Sequence, residues 1–490
     1  MSEMDKLGRN HDFLKQFRNS PLFIYSASYL SGILIAGSSP AGTEFSVIFT
    51  SSVIISALGI YHLNFNDPLA GRDKLLLKTQ KILFITAFFS MGLLNIFLSG
   101  YGCKITKITS LPIGKIILLK VIVKEISTAG ENGIRVIGYS REAGEGIMLF
   151  INGNNSGIES GDTLNIRYRP SEIKSGNNES RINLKLYYSK KGIYSSGYVN
   201  QSDCELIKAK HLTIRVFFSR LRDSFAMREK ELLKNDDASG VIIGLTTGLK
   251  TYMRKEIKAS FSKSGTMHLM AVSGLHVNFI YMILTSITLL MGNIKSMRYA
   301  RAGIILAVIW LYAFFTGMAP SILRAVIMIT MAEAGRVTGK DNNSLNALSF
   351  AVLAICIHNP ASAFDAGFQL SFLATLSIIM LVKPLSSLYN PGNRIMKYLW
   401  NSACVSLCCQ TGTLPLTIHY FGFFPLYFLL SNIVAIPLSS VIILFGIAQF
   451  SLSESFLSDD MASVAVWLCK VLIWFTGRIE SLPLSVIEFR

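Results

Sequence analysis

Long apolar runs separated by short polar segments make up most of the chain, a pattern that predicts helices crossing a membrane. Three such runs precede residue 100, and eight follow residue 267. The predicted spans are about Pro21–Ala36, Phe45–Tyr61, Ile82–Leu98, Leu269–Met291, Gly303–Phe315, Ile322–Val337, Leu345–Ile357, Phe368–Val382, Trp400–His419, Phe423–Phe450 and Met461–Phe475. Several runs are short and prolines interrupt the last ones, which predicts broken or re-entrant helices lining a cavity.

Between residues 100 and 206 the pattern changes to short β-rich runs separated by Gly, Asn and Ser. The runs are Ile116–Ile126, Ile134–Tyr139, Gly146–Ile151, Thr163–Tyr168 and Ile182–Tyr188. Five strands in about a hundred residues favour a small barrel of the OB type, although strand spacing alone does not separate a barrel from a sandwich.

The stretch from residue 207 to 266 has a third pattern, a basic amphipathic helix over Lys210–Lys234 followed by a short apolar piece and a second basic segment. The apolar side chains expected on one side of this helix are Leu212, Val216, Phe217, Leu221, Phe225 and Leu232. The predicted fold is therefore a polytopic α-helical membrane protein with an inserted extracytoplasmic small β-barrel (OB-like) domain. Its expected parts are amino-terminal transmembrane helices (1–99), the β-domain (100–206), the basic helical segment (207–266) and a second transmembrane domain (267–480).

Composition supports a membrane protein and gives its orientation. Hydrophobic residues make up 51% of the chain, charged residues make up 16%, and the mean hydropathy is +0.44. This apolar excess is more than a soluble protein of this length could bury. Basic residues precede the first span and lie between the second and third spans, as at Arg72 and Lys74, which places both segments in the cytoplasm. The β-domain is therefore expected outside a multi-pass protein of the cytoplasmic (inner) membrane.

The net charge of +17 includes a basic excess on the side where topology does not require it. Residues 208–263 contain thirteen Lys and Arg against six Asp and Glu, a net charge of +7. Two interpretations remain open. The segment is either an interfacial helix held by anionic lipid headgroups or an electrostatic funnel for a polyanion.

Two of the seven cysteines lie outside the apolar segments, at either end of the β-domain. Because the β-domain is expected in an oxidising compartment, Cys103 and Cys204 form either a disulfide or two free thiols, and the sequence leaves both open.

The polar side chains within the apolar part of the chain are candidate functional residues, because an unpartnered polar group in hydrocarbon is costly. The segment Ser264–Val277, with the sequence SGTMHLMAVSGLHV, stands at the entrance of the second membrane domain. The candidates are His268, Ser273, His276, Arg324, Asp365, Gln369 and Asn432. Arg324 and Asp365 are expected to pair or to face one water-filled space.

The Ser273 and His276 pair also allows a membrane enzyme, an intramembrane hydrolase or acyltransferase with Asp365 as the orienting group. The segment lacks the Gly-x-Ser-x-Gly elbow that hydrolases of the α/β class use. It also lacks His-Glu-x-x-His and clustered cysteines, so neither a metal site nor a cofactor is predicted.

Four motifs together carry a resemblance to a known family. SGTMHLMAVSGLHV, SILRAVIM, NPASAFDAGFQLSFLAT and LPLTIHYFGFFPLYFLLSNIVAIPL resemble, in this order, the membrane motifs of the ComEC competence-protein family. The resemblance extends over about residues 21 to 480. It implies a channel, not an enzyme, that passes single-stranded DNA across the cytoplasmic membrane during natural transformation. Transport of another anion and the membrane enzyme are the alternatives.

The resemblance also implies roles for residues and partners. The seven polar candidates would line or gate the passage, and Arg215, Arg220, Arg222, Arg254, Lys255 and Lys258 would bind DNA, while aromatic residues of the β-domain would stack bases. Further partners would be the lipid bilayer, a periplasmic DNA receptor, a separate nuclease, a cytosolic helicase and a second copy of the chain. Many family members carry a carboxy-terminal metallo-β-lactamase-like domain, and its His-x-His-x-Asp-His cluster is expected to be missing here.

Overall fold

The computed structural model describes residues 20–38, 73–99, 109–128, 133–152, 157–173, 184–233, 235–291, 295–340, 343–451 and 458–489. The chain divides into two compact units. The first comprises Met1–Thr106, Met291–Gly303 and Leu323–Thr413, and the second comprises Lys107–Leu290, Ile304–Ile322 and Leu414–Arg490. The predicted span Phe45–Tyr61 lies outside the described residues.

Helices make up most of both units. The helices are α1 (Pro21–Ser38), α2 (Asp73–Leu98), α3 (Leu184–Lys190), α4 (Ile214–Leu233), α5 (Asp236–Thr247), α6 (Lys255–Lys263), α7 (Gly274–Thr288), α8 (Lys295–Phe315), α9 (Pro320–Thr338), α10 (Ser344–His358), α11 (Ala366–Ser386), α12 (Arg394–Phe421), α13 (Phe428–Ser451) and α14 (Ser458–Glu480). Among the described residues, four are long and apolar enough to cross a membrane, within α8, α11, α13 and α14. The prediction of a helical membrane protein is confirmed.

Two glycines bring α1 and α2 together in the first unit. A side chain at Gly32 would collide with the Phe89 carbonyl oxygen, and one at Gly92 would collide with that of Tyr29. Small residues at such positions let helix backbones approach closely. The Asn95 side-chain amide then donates to the Tyr29 hydroxyl and, over 3.0 Å, to the Cys356 carbonyl, which ties both helices to α10.

The β-domain in the second unit is one seven-stranded sheet. Its strands are β1 (Ile117–Thr128), β2 (Gly133–Ser140), β3 (Glu145–Asn152), β4 (Thr163–Tyr168), β5 (Ser171–Glu172), β6 (Ile193–Asn200) and β7 (Cys204–Ile207). The order is β5-β6-β3-β2-β1-β4-β7, and every pair is antiparallel except β3 with β6. A two-stranded sheet, β8 (Phe423–Pro425) with β9 (Val486–Glu488), lies near the end of the chain.

The OB-type barrel is not confirmed, because the edge strands β5 and β7 do not pair with each other in the described sheet. The predicted strand Ile182–Tyr188 is wrong, since residues 184–190 form α3. A seven-residue alternation of polar and apolar positions does not separate a strand from an exposed helix. Strands β5, β6 and β7 were missed. Strand β6 contains Gly197, a residue disfavoured in strands that here makes room for the Tyr168 ring.

The buried face of α4 differs from the predicted one. Phe225, Ala226, Glu229 and Leu233 are buried, whereas Phe217 and Leu221 on the predicted apolar face are exposed. The buried positions follow the i, i+4, i+8 spacing of one helix face. The hydrophobic pattern of the sequence did not predict this buried face, because the face includes Glu229.

Helix α5 is buried along nearly its whole length, from Ala238 to Thr247. Asn235 caps its amino terminus, and Gly248 ends it in the left-handed conformation with φ 78°. Its apolar side chains share a core with residues of α6, α13 and α14, including Phe261, Ile443 and Leu472.

Candidate functional site

The segment Ser264–Val277 is a sequence of tight turns between α6 and α7. Gly265 adopts φ 81°, a left-handed conformation that favours glycine, and the 3₁₀ turn Met267–Met270 follows. Leu269 and Met270 are fully buried, while the His268 side chain is exposed and its Nδ1 lies 3.1 Å from the Gly265 carbonyl oxygen. The turns therefore hold His268 in a defined orientation at the entrance to α7.

Ser273 and His276 form a capping box at the start of α7. The Ser273 backbone N–H donates to His276 Nδ1 over 3.3 Å, and Ser273 Oγ accepts from the Leu275 N–H over 3.3 Å. The imidazole therefore contacts the backbone of Ser273 and not its hydroxyl. This geometry does not provide the serine–histidine hydrogen bond that a nucleophile needs.

Only one of the two ring nitrogens of His276 takes part in a hydrogen bond that the structure describes. Its side chain is fully buried, and Nε2 has no hydrogen-bond partner among the described residues. Because Nδ1 accepts a hydrogen bond, Nε2 carries the proton. His268 lies on the turn that precedes α7 and His276 lies in the first turn of α7, so the two histidines of the motif are neighbours along the segment.

Parts of two other motifs reach the same segment within the second unit. Ser321 Oγ at the start of α9 donates to the Val272 carbonyl over 3.1 Å. A side chain at Gly265 would lie 3.0 Å from both Pro425 and Phe428. Asn432, one turn further along α13, has a buried Oδ1 without a partner in the part of the chain described.

The remaining polar candidates lie in the first unit. Arg324 donates to both the carbonyl and the hydroxyl oxygen of Ser371, so α9 is joined to α11. Asp365 caps α11 by accepting from the Phe368 N–H over 3.0 Å, and Gln369 donates to the Ala363 carbonyl over 2.8 Å. Arg324 and Asp365 form no ion pair within 4 Å, so they do not pair directly, and the alternative that both face one water-filled space stays a prediction. The Asp365 carboxylate is occupied by a helix amino terminus, where negative charge is favoured.

Three of the predicted DNA-binding arginines contact acidic side chains of the protein itself. Arg220 binds Glu159 over 2.7 Å and Asp162 over 2.9 Å, and so attaches α4 to the β-domain. Arg254 pairs with Asp237, and the largely buried Arg222 lies 3.9 Å from Asp223.

Asp162 anchors this contact between α4 and the β-domain. Burial alone would raise the pKa of its carboxyl, but hydrogen bonds from the Ala209 and Glu159 N–H groups, together with Lys208, outweigh burial and lower the pKa.

The other predicted cations have no acidic partner within 4 Å among the described residues. Arg215 and Lys255 are exposed, and Lys258 is half-buried. Lys250, which the sequence analysis did not single out as a site residue, lies near Lys258 on the preceding turn. Burial and then the charge of Lys258 lower the pKa of Lys250.

Three side chains from neighbouring strands form a row on one face of the sheet, called here the outer face: Arg135, Phe150 and Tyr198. Only the strand register shows that they are neighbours. Arg135 on β2 lies opposite Phe150 on β3, which in turn lies beside Tyr198 on β6. The Phe150 and Tyr198 rings stack with their centroids 5.1 Å apart, and Tyr198 is 73% exposed. Tyr168 and Tyr194, by contrast, are buried. The structure thus divides the aromatic residues of the β-domain into core and surface.

Glu229 is a buried carboxyl that sequence analysis missed. Its side chain is fully buried, and neither carboxylate oxygen has a partner among the described residues. Burial raises the pKa of Glu229 to about 8. Within the described ranges, no group of three or more His, Cys, Asp or Glu side chains is arranged to hold a metal ion. Cys103 lies outside those ranges, so its pairing with Cys204 stays a prediction.

Comparison with known proteins found a matching family model and several relatives. The family model described as Competence protein matches residues 245–490. The chain is 31% identical over 262 residues to ComE operon protein 3 of Bacillus subtilis (strain 168), which covers 52% of this chain and 31% of that protein. It is 26% identical over 237 residues to an uncharacterized protein of Aquifex aeolicus (strain VF5), which covers 48% of this chain and 53% of that protein.

A third relative, the uncharacterized protein YcaI of Escherichia coli (strain K12), is 27% identical over 146 residues, or 29% of this chain and 19% of that protein. The chain therefore matches about a third to a half of the length of the first two relatives. No solved structure matches the chain significantly. The family model covers the capping-box motif and the helices that follow it over half of the sequence, and on this basis the chain belongs to the competence protein family.

Proposed function

We propose that this protein is a channel that passes single-stranded DNA across the cytoplasmic membrane during natural transformation. The observation that carries the proposal is the family match over residues 245–490, which includes both the polar segment Ser264–Val277 and the candidate spans α8, α11, α13 and α14. The basic segment at residues 208–263, which overlaps the start of this block, supplies the positive charge that a polyanion needs at an entrance.

In this proposal the neighbouring histidines, His268 and His276, lie at the mouth of the passage with Ser273 between them in the chain. Asn432 Oδ1 and the buried Nε2 of His276 have no hydrogen-bond partner within the described ranges, which is favourable where water or a polar strand passes. Arg324, Asp365 and Gln369 support the helices of the passage through their contacts with Ser371, Phe368 and Ala363.

The β-domain is proposed to lie outside the membrane and to belong to the OB type. Support for the OB type comes from β4 and β5, which are separated by only two residues, pair with β1 and β6 respectively, and so join both sides of the sheet. A DNA receptor, a nuclease and a helicase remain proposed partners. The membrane-enzyme alternative is not favoured, since Ser273 Oγ accepts from the Leu275 N–H and makes no hydrogen bond with His276.

Deletion of the gene in its own host, with re-expression of the full chain, tests the proposal. Radiolabelled DNA that becomes resistant to external nuclease should disappear in the deletion strain and return on re-expression. DNA bound at the cell surface should be unchanged. Undiminished entry of label into the cytosol of the deletion strain would refute the channel function.

A further inference from the structure

The cations of this protein fall into two groups that differ in their acidic partners. Arg220 and Arg254 are neutralised by Glu159, Asp162 and Asp237. Lys250, Lys255 and Lys258 have no acidic partner within 4 Å among the described residues. The net charge of residues 208–263 therefore does not show where a polyanion would bind. The positions of the unpaired cations indicate the binding place instead.

The unpaired lysines gather at one place together with Arg135 of the β-domain. Lys255 and Lys258 lie three residues apart in α6, a spacing that puts two side chains on one helix face. Burial, followed by the charges of Arg135 and Lys255, lowers the pKa of Lys258. The turn that carries Lys250 packs against β1. Cations from strand β2, helix α6 and the turn at Lys250 thus repel each other. A bound anion would relieve this repulsion.

Arg135 connects this cluster to the aromatic row on the sheet. Its Nε donates to Ser127 Oγ on β1 over 3.0 Å, which fixes the guanidinium over the outer face. On its other side Arg135 faces Phe150, and Phe150 stacks on Tyr198. Neighbouring strands are about 4.8 Å apart, so the row extends roughly 14 Å from Ser127 to Tyr198.

An exposed tyrosine stacked on a half-buried phenylalanine, beside unpaired cations, fits one class of ligand better than another. A lipid headgroup needs only the cations, whereas a single-stranded nucleic acid also presents bases that stack on exposed rings whatever their sequence. The elements that carry these groups also hold two acidic side chains, Glu125 on β1 and Glu256 on α6. Neither forms an ion pair with the four cations within 4 Å in the described part of the chain.

We propose that Tyr198, Phe150, Arg135, Lys258, Lys255 and Lys250 form a binding track for single-stranded nucleic acid. Bases stack on Tyr198 and Phe150, and phosphates contact Arg135 and the three lysines. The track rests on the proposed function, because it assigns the place where the transported strand is first held. It also moves that place away from the paired arginines of α4.

The test uses the full chain purified in a phospholipid-free neutral detergent and a fluorescent oligothymidine as the probe. Tyr198→Ala should raise the Kd by about fivefold or more, and Tyr198→Phe, which keeps the stacking ring, should leave it near the original value. Lys255→Gln with Lys258→Gln should weaken binding and lower the slope of log K against log salt by about 1.4, or 0.7 for each lost phosphate contact.

Two matched controls remove the same groups elsewhere in the β-domain. Lys185→Gln removes one charge from an exposed pair with Glu172, and Tyr187→Ala removes a ring that is 40% exposed and faces Tyr188. Neither should change the Kd by more than about twofold. Equal losses in the controls and in the track variants would overturn the track.

The lipid alternative and the proposed function are separated by two further measurements. If the track variants keep oligothymidine affinity but lose affinity for a water-soluble short-chain phosphatidylglycerol, the surface binds headgroups and the inference is wrong. If they lose oligothymidine affinity while cells expressing them import DNA at the normal level, the surface binds nucleic acid but does not hold the transported strand, and the track is overturned as part of uptake. The channel function is decided separately, by DNA entry in the deletion strain.

Discussion

Glu229→Gln should change how the stability of this protein depends on pH. In the folded protein the carboxyl is fully buried without a hydrogen-bond partner among the described residues, and its pKa is about 8 against an ordinary value of 4.5. Between these two values the folded protein holds a proton on Glu229 that the unfolded chain has released. The free energy of unfolding therefore falls as pH rises from about 4.5 to about 8 and is constant above that.

The size of the effect follows from the difference between the two pKa values. A difference of about 3.5 corresponds to about 5 kcal/mol at 1.36 kcal/mol per pKa unit, an order-of-magnitude upper value. Glutamine has a similar volume and does not ionise. The variant should therefore be more stable than the original protein above pH 8, while the difference between them should shrink towards pH 5.

The assay is thermal unfolding of the detergent-purified full chain, followed by intrinsic fluorescence between pH 5.5 and 9.5. Glu231→Gln is the control, because Glu231 lies two residues away on the same helix and is exposed. The original protein and this control should lose Tm together as pH rises, and Glu229→Gln should lose much less. Superimposable pH profiles for Glu229→Gln and the original protein would refute the reasoning.

Three other outcomes are expected. Ser273→Ala removes the cap of α7 and should lower the stability by about 1 kcal/mol, measured as a lowered Tm, whereas Ser273→Thr should keep most of the stability. Labelling of residue 273 by a serine-reactive fluorophosphonate would contradict the capping role. Arg324→Ala and Ser371→Ala should be non-additive in a double-mutant cycle of thermal stability, with a coupling of about 0.5–3 kcal/mol, and strict additivity would exclude the contact between the two side chains. Asp162→Asn should weaken the attachment of α4 to the β-domain at neutral pH, measured as faster proteolysis between them. Because the pKa of Asp162 is lowered in the folded protein, this stabilisation is complete above its ordinary value of 3.8 and is lost at lower pH, so the variant and the original should converge in acid.

Long elements were predictable from the sequence because hydrophobic periodicity determines them. The apolar runs of α1, α10 and α11 were located to within a few residues, as were strands β1 to β4. Short elements were not predictable. Residues 184–190 have a polar and apolar pattern that is shared by strands and helices. Gly197 lowers the strand propensity of β6, so this strand could not be predicted from propensity.

The candidate site was predictable as a set of residues and not as a set of contacts. Polar residues within apolar runs drew attention to Ser273, His276 and Arg324, but their partners depend on tertiary neighbours. Arg324 binds Ser371 because α9 packs beside α11, and nothing in the spacing of the two residues indicates it. The row of Arg135, Phe150 and Tyr198 depends on strand register, which a single sequence does not provide.

The burial of α5 has a consequence for the order of events during synthesis. This helix of twelve residues is too short to cross a bilayer, and its core partners Ile443 and Leu472 are encoded about 200 residues later. At translation rates of roughly 5–20 residues per second, about 10 to 40 seconds pass before those partners emerge. Until then α5 lacks the core partners that α13 and α14 supply, so the core around it is completed only late in synthesis.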